Sequence, residues 1–255
     1  MSTQRKIILA LLLILAAASW AVLLWPSPSL DMARMPGMGP TMGVAAPLFL
    51  AIWIVMMVAM MFPTAAPIIL AFHTVQARKR ARGETFVATW VFVASYLFVW
   101  SASGIVAYAG AVAAEMIAER AHLTAIHTAR IGGALLIVAG LYQLSPWKNV
   151  CLIKCRTPMN FIITSWHDGL GGAIRMGVQH GLYCLGCCWL LFVILFPLGI
   201  MNVGAMAVIT LLVYAEKSFP WGVRVAQIAS AVLVVYGLLV LFVPSMLPTF
   251  IAAGT

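Results

Sequence analysis

Apolar residues in this chain come in long unbroken runs, separated by short stretches rich in Lys, Arg, Pro and Gly. Crossing the hydrocarbon core of a bilayer takes about 20 such residues in a helix. The runs predict spans near 7–25, 46–74, 86–112, 127–145, 182–200, 203–216 and 225–248. The expected fold is all-α: one polytopic transmembrane helix bundle of about seven spans over residues 1–255. The fifth and sixth runs are nearly fused, and only Pro197, Gly199, Asn202 and Gly204 offer a turn between them. Pro63 and Pro67 fall inside the second run, where they are expected to kink or break the helix and open backbone groups to a cavity.

Composition sharpens this picture. Hydrophobic residues make up 64% of the 255 and charged residues 8%, against roughly 45–50% and about 25% in soluble domains. So much apolar surface needs lipid as its solvent, and no polar stretch is long enough for a separate soluble domain. The net charge of +9 is not a nucleic-acid footprint, because Lys and Arg fall in short clusters between the runs, as topology signals do. With the N-terminus inside, the inner set is Arg5, Lys6, Arg78, Lys79, Arg80, Arg82, Lys148, Lys154, Arg156, Arg175, Lys217 and Arg224. The outer set is Arg34, Arg120 and Arg130. That bias predicts N-inside and C-outside. Arg5 and Lys6 precede an apolar run that continues beyond Ala16-Ala17-Ala18, so the first span is expected to be an uncleaved signal anchor.

Segment 146–181 then lies on the cytoplasmic side. It carries Pro146, Pro158, an amphipathic stretch from Phe161 to Trp166 and glycines at 169, 171 and 172. This mixture predicts a re-entrant or interfacial element before the fifth span.

The chemistry concentrates nearby. His180, Cys184, Cys187 and Cys188 recur at helical spacing and form one stripe of soft ligands at the start of the fifth span. Cys151 and Cys155 lie in the preceding segment and can fold back onto it. All five cysteines fall within 38 residues; thiolates with imidazole suit Cu(I) first and Zn(II) second. A cysteine in a membrane helix can also be plain small packing, but the clustering points to metal or redox work. Met57, Met60 and Met61 share a face of the second span, either as packing or as thioether ligands for Cu(I). A loop with Met32, Met35, Met38 and Met42 sits on the outer side and is a further candidate for collecting Cu(I).

Glu216, at membrane depth beside Lys217, is a candidate coupling group or a helix-end anchor. Asp168 is placed to orient His167 or His180, or to cap a helix. His73, His122 and His127 read as surface or interface residues. There is no phosphate-binding glycine loop, no hydrolase triad and no haem-type His pair, so no catalytic residue is assigned.

Several motifs resemble one family. They are Met-Met-Val-Ala-Met-Met-Phe-Pro at 56–63, Tyr-Gln-Leu-Ser-Pro-Trp-Lys at 142–148 with Cys151 and Cys155-Arg-Thr-Pro, the Gly181 to Trp189 cysteine stretch, and Met201-Asn202 with Glu216-Lys217 and Pro220. Over about residues 45–225 the chain resembles the bacterial predicted metal-binding integral membrane proteins of domain-of-unknown-function family 2182. The resemblance implies a bacterial inner-membrane protein. It also implies that Met60, Met61, the five cysteines and Glu216 form a functional set. The leading expectation is a copper-handling membrane protein that transports, stores or delivers the ion, with a metallochaperone or redox protein as partner. The alternatives are a membrane thiol–disulfide oxidoreductase using the two cysteine pairs, a copper-dependent membrane oxidase, and a structural subunit.

Overall fold

The computed structural model describes residues 3–25, 39–41 and 43–249. The outer methionines Met32, Met35, Met38 and Met42 lie outside the described residues. In chain order the helices are α1 (Thr3–Leu24), α2 (Ala46–Ala81), α3 (Thr89–Arg120), α4 (Ala125–Gln143), α5 (Pro146–Arg156) and α6 (Pro158–Ser165). They continue with α7 (Gly169–Val193), α8 (Leu195–Leu198), α9 (Val203–Ser218) and α10 (Gly222–Phe242). The fold is an all-α bundle, and no strand occurs among the described residues.

Among the described residues, six helices are long and apolar enough to cross a membrane: α1, α2, α3, α4, α7 continued through α8, and α10. The expected 203–216 span corresponds to α9. Its 16 residues give about 24 Å, short of the roughly 30 Å hydrocarbon core. The fifth span also differs from expectation: its helix starts at Gly169, well before 182. Segment 146–165 folds as two short helices, α5 and α6, the first packed on α7. The turn between α8 and α9 is where the sequence puts it. Gly199 takes a φ of 93°, and Asn202 Oδ1 accepts from the Ala205 N–H at 3.1 Å to cap α9.

Helix α2 organises the bundle. Its 36 residues reach about 54 Å, so it outruns the bilayer and ends among Arg78, Lys79 and Arg80, which suit the negative end of the helix dipole. Pro63 and Pro67 lie within it without ending it. Each removes the N–H that would pair with a carbonyl one turn earlier, at Ala59 and Pro63. Beside them, Thr64 Oγ1 donates to the Met61 carbonyl at 3.0 Å. More of α2 is buried than of any other membrane-length helix, and α1, α3, α6 and α9 all pack on it.

Helices α4 and α10 approach through glycine. A Cβ on Gly133 would lie 2.9 Å from the Gly237 carbonyl oxygen, and one on Gly237 would lie 2.7 Å from that of Gly133. Small residues at such crossings let backbones meet and gain packing that lipid cannot supply.

Contacts between loops sort the helix ends into two groups. At one end Lys79 pairs with Asp168, and the Arg156 guanidinium donates to the carbonyls of Phe219 and Pro220 at 2.9 and 3.0 Å. At the other, Thr41 Oγ1 donates to Glu115 at 2.8 Å and Thr249 Oγ1 to the Pro197 carbonyl at 2.8 Å. The twelve cations of the expected inner set lie on helices and turns that reach the first end.

Candidate functional site

The cysteine helix is not as the sequence suggests at one point. Because α7 begins at Gly169, His180 and the three cysteines lie in the middle of a continuous helix and not in its first turn. The dipole of a helix acts only within its terminal turn, so it cannot activate these thiols. A side chain reaches one of them instead. Lys217, on the last turn of α9, donates through Nζ to Cys184 Sγ at 3.0 Å. Tyr96 Oη of α3 lies 3.1 Å from the same sulfur. Cys184, Cys187 and Cys188 are all buried to within 1% of full enclosure.

Local helix geometry holds the other two thiols inward. Cys187 Sγ and Cys188 Sγ both donate to the Cys184 carbonyl, at 3.1 and 2.8 Å, the back-bonding expected of a short polar side chain three or four residues on. From α5, Cys155 comes within interaction range of Cys184 and Cys187. Those sulfur contacts, followed by burial, hold its thiol well above the usual range. Cys151 sits beside Gly186, where a Cβ would lie 2.9 Å from its sulfur. Burial, with Cys187 nearby, raises that thiol too. The glycine therefore admits a cysteine side chain where close backbone approach is expected. All five cysteines are free thiols.

His180 lies one turn before Cys184. Its ring stacks on Phe92 and Tyr96 and meets Phe161 edge-on, with centroids 5.3–6.1 Å apart. Its Nδ1 is buried without a hydrogen-bond partner. Orphaned polar atoms of this kind are costly and rare in native interiors, and an imidazole nitrogen with no partner is an open ligand position.

A second buried cluster backs the first. Lys148 Nζ reaches Glu216 Oε2 at 2.6 Å and also contacts Gln143. Gln143 Nε2 donates to Glu216 Oε1 at 3.1 Å. Lys148 and Glu216 are each 1% exposed. Neither Glu216 nor Lys217 is a helix-end anchor reaching for water; each faces inward, to a different partner. Sequence reasoning missed Lys148, Gln143, Lys217 and Tyr96. Lys148 counted there as a loop cation, although the stretch 142–148 carries the family resemblance.

The remaining candidates separate from the cysteines. Met57, Met60 and Met61 are fully enclosed in the bundle and do not face lipid. Asp168 accepts from Lys79 and from Trp166 Nε1 at 3.0 Å, contacts that hold its carboxyl below the usual range. It binds neither histidine and makes no cap bond. His167 Nδ1 faces the Ser165 carbonyl at 2.9 Å. Among the described residues, no three His, Cys, Asp or Glu side chains converge as a ready-made metal cage. Cys155, Cys184 and Cys187 adjoin one another, and His180 lies one turn before Cys184, in electrostatic range of it.

Membrane-length apolar helices around enclosed thiols, with a lysine on one sulfur, define a polytopic membrane protein with a buried thiol cluster. Over residues 50–240 the chain matches the PpoB2 family, described as a copper chaperone, and it belongs to that family. The match supplies the copper description, although not the name of the family that the motifs resemble. No curated protein and no solved structure matches the chain.

Proposed function

We propose that this protein takes up Cu(I) at the cytoplasmic end of its bundle, in a bacterial inner membrane, and hands it to a partner. The ion is cargo. Cys184 and Cys187 hold it, Cys155 completes or exchanges the thiolate set, and His180 offers its nitrogen. Cys151, half-buried at the rim, and Cys188 serve transfer. Met57, Met60 and Met61 provide a weaker thioether path deeper in the bundle. The observation that carries this reading is Lys217 on Cys184: a buried cation hydrogen-bonded to sulfur favours the thiolate, the form that binds metal.

Elemental analysis of the purified protein after Cu(I) loading tests it. Wild type is expected to retain near-stoichiometric copper, and Cys184→Ser/Cys187→Ser to lose it. Zinc in place of copper would overturn the ion. Metal in neither protein, with Cys155 trapped in a mixed disulfide when Cys184 is replaced, would favour thiol exchange instead.

The orientation is part of the proposal. A single cysteine introduced at Gly83, in an otherwise cysteine-free chain, should react with an impermeant maleimide only after the membrane is opened. Reaction in intact cells would reverse the topology.

A further inference from the structure

A pocket away from the cysteines lies at the same end of the molecule, where α1, α2 and α3 meet. It encloses about 280 Å³, small for a whole metabolite but suited to a phosphodiester group. Its polar wall includes His73, Gln76, Arg80 and Thr89. His73 Nδ1 is engaged with Thr89 Oγ1 at 3.2 Å, but His73 Nε2 is buried with no partner. Arg5 interacts electrostatically with His73, and its Nε is likewise buried and unpartnered. Two orphaned polar atoms thus lie on two helices at this pocket, His73 Nε2 on its wall with Arg80 and Arg5 Nε next to the wall residue Gln4.

Among the described residues, no protein anion answers them. Glu84 lies near Lys79 and Arg82, at 3.9 and 3.8 Å; Asp168 takes Lys79 and Glu216 takes Lys148. Glu115 and Glu119 are at the far end of α3. Among the described residues, Arg5 and Arg80 have no carboxylate partner. A buried, unpaired donor of a guanidinium is expensive, so its stable state is one in which an anion from outside accepts from it.

The rim says which anion. Ile7, Leu11, Phe86 and Trp90 border the pocket and are 40–52% exposed, with Arg80 lying over the Phe86 ring at 5.1 Å. A free phosphate has no use for that apolar border; acyl chains do. Basic pockets between helices on the cytoplasmic side are physically suited to anionic headgroups. We infer that this pocket binds the headgroup phosphate of an anionic phospholipid, through Arg80 and His73 Nε2 of its wall with the charge of Arg5 behind them, and with its chains along the α1 and α3 rim. The inference is independent of the copper site.

The probes are dioleoyl phosphatidylglycerol, dioleoyl phosphatidylcholine and inorganic phosphate, added to delipidated protein and read by native mass spectrometry and thermal unfolding. Wild type should retain phosphatidylglycerol selectively and gain thermal stability from it. Arg5→Gln/Arg80→Gln should lose both effects, whereas Arg224→Gln, a change to another cation at the same end, should keep them. Should the double variant not fold, Arg80→Gln alone carries the test. Equal retention of the two lipids, unchanged selectivity in the variant, or loss in Arg224→Gln would overturn the site. Equal stabilisation by inorganic phosphate would overturn the lipid as its ligand.

Discussion

Replacing Glu216 by Ala should destabilise the bundle by about 3–5 kcal/mol, the usual cost of stranding one member of a buried ion pair. Lys148, 1% exposed and 2.6 Å from the carboxylate, would be left as an uncompensated cation at the membrane boundary, with only Gln143 beside it. Lys148→Met should cost a similar amount by stranding Glu216. The double variant Lys148→Met/Glu216→Met should recover most of the loss, because well-packed apolar replacements of a buried pair are often neutral. Thermal unfolding of the four proteins in one detergent gives the cycle. If the two single losses simply add in the double variant, the residues are not coupled and the pair is not a unit. The recovered double variant is informative for a second reason. Lys148 lies on α5, the helix of Cys151 and Cys155, and Glu216 precedes Lys217, which holds Cys184. The ion pair therefore pins the Cys151/Cys155 helix against α9, whose Lys217 holds Cys184 on α7. Without it, Cys155 should become accessible to maleimide even though the bundle is folded.

This pair also marks the limit of what the sequence discloses. Apolar runs disclose the membrane class and most of the helices, because lipid imposes one period and one length. They misplace the start of α7, since Gly169, Gly171 and Gly172 read as part of a re-entrant or interfacial element, whereas the structure carries the spanning helix through them. The cysteine stripe was legible from spacing alone. What contacts its first sulfur was not: Lys217 follows Cys184 by 33 positions and Tyr96 precedes it by 88, and no local pattern joins them. Counting cations for topology treats Lys148 and Lys217 as loop charges, which gives the right end of the bundle and the wrong environment. The one sequence feature that pointed inward was Glu216, an acid at membrane depth, and its partner could be named only once α5 was folded back.

The second large effect concerns Lys217. Two thiolates holding one Cu(I) carry a net charge of −1, and burying that charge is unfavourable unless a cation compensates. Lys217, 3.0 Å from Cys184 Sγ, makes the loaded site neutral, while Lys148 and Glu216 already cancel each other. Zn(II) on the same two thiolates would leave a surplus positive charge, so the lysine favours the monovalent ion. Lys217→Met removes a hydrogen bond to a charged group, a contribution of about 1.5–3 kcal/mol, which corresponds to roughly ten- to a hundredfold weaker Cu(I) binding. Competition against a chromogenic Cu(I) chelator measures it. Lys217→Arg, which keeps the charge on a bulkier head, should lose less. The zinc-to-copper affinity ratio should rise in Lys217→Met, because the variant no longer penalises the divalent ion. A ratio unchanged from wild type, with Cu(I) affinity intact, would mean that Lys217 packs against Cys184 without setting the charge of the site, and the thiolates would then need another source of stabilisation.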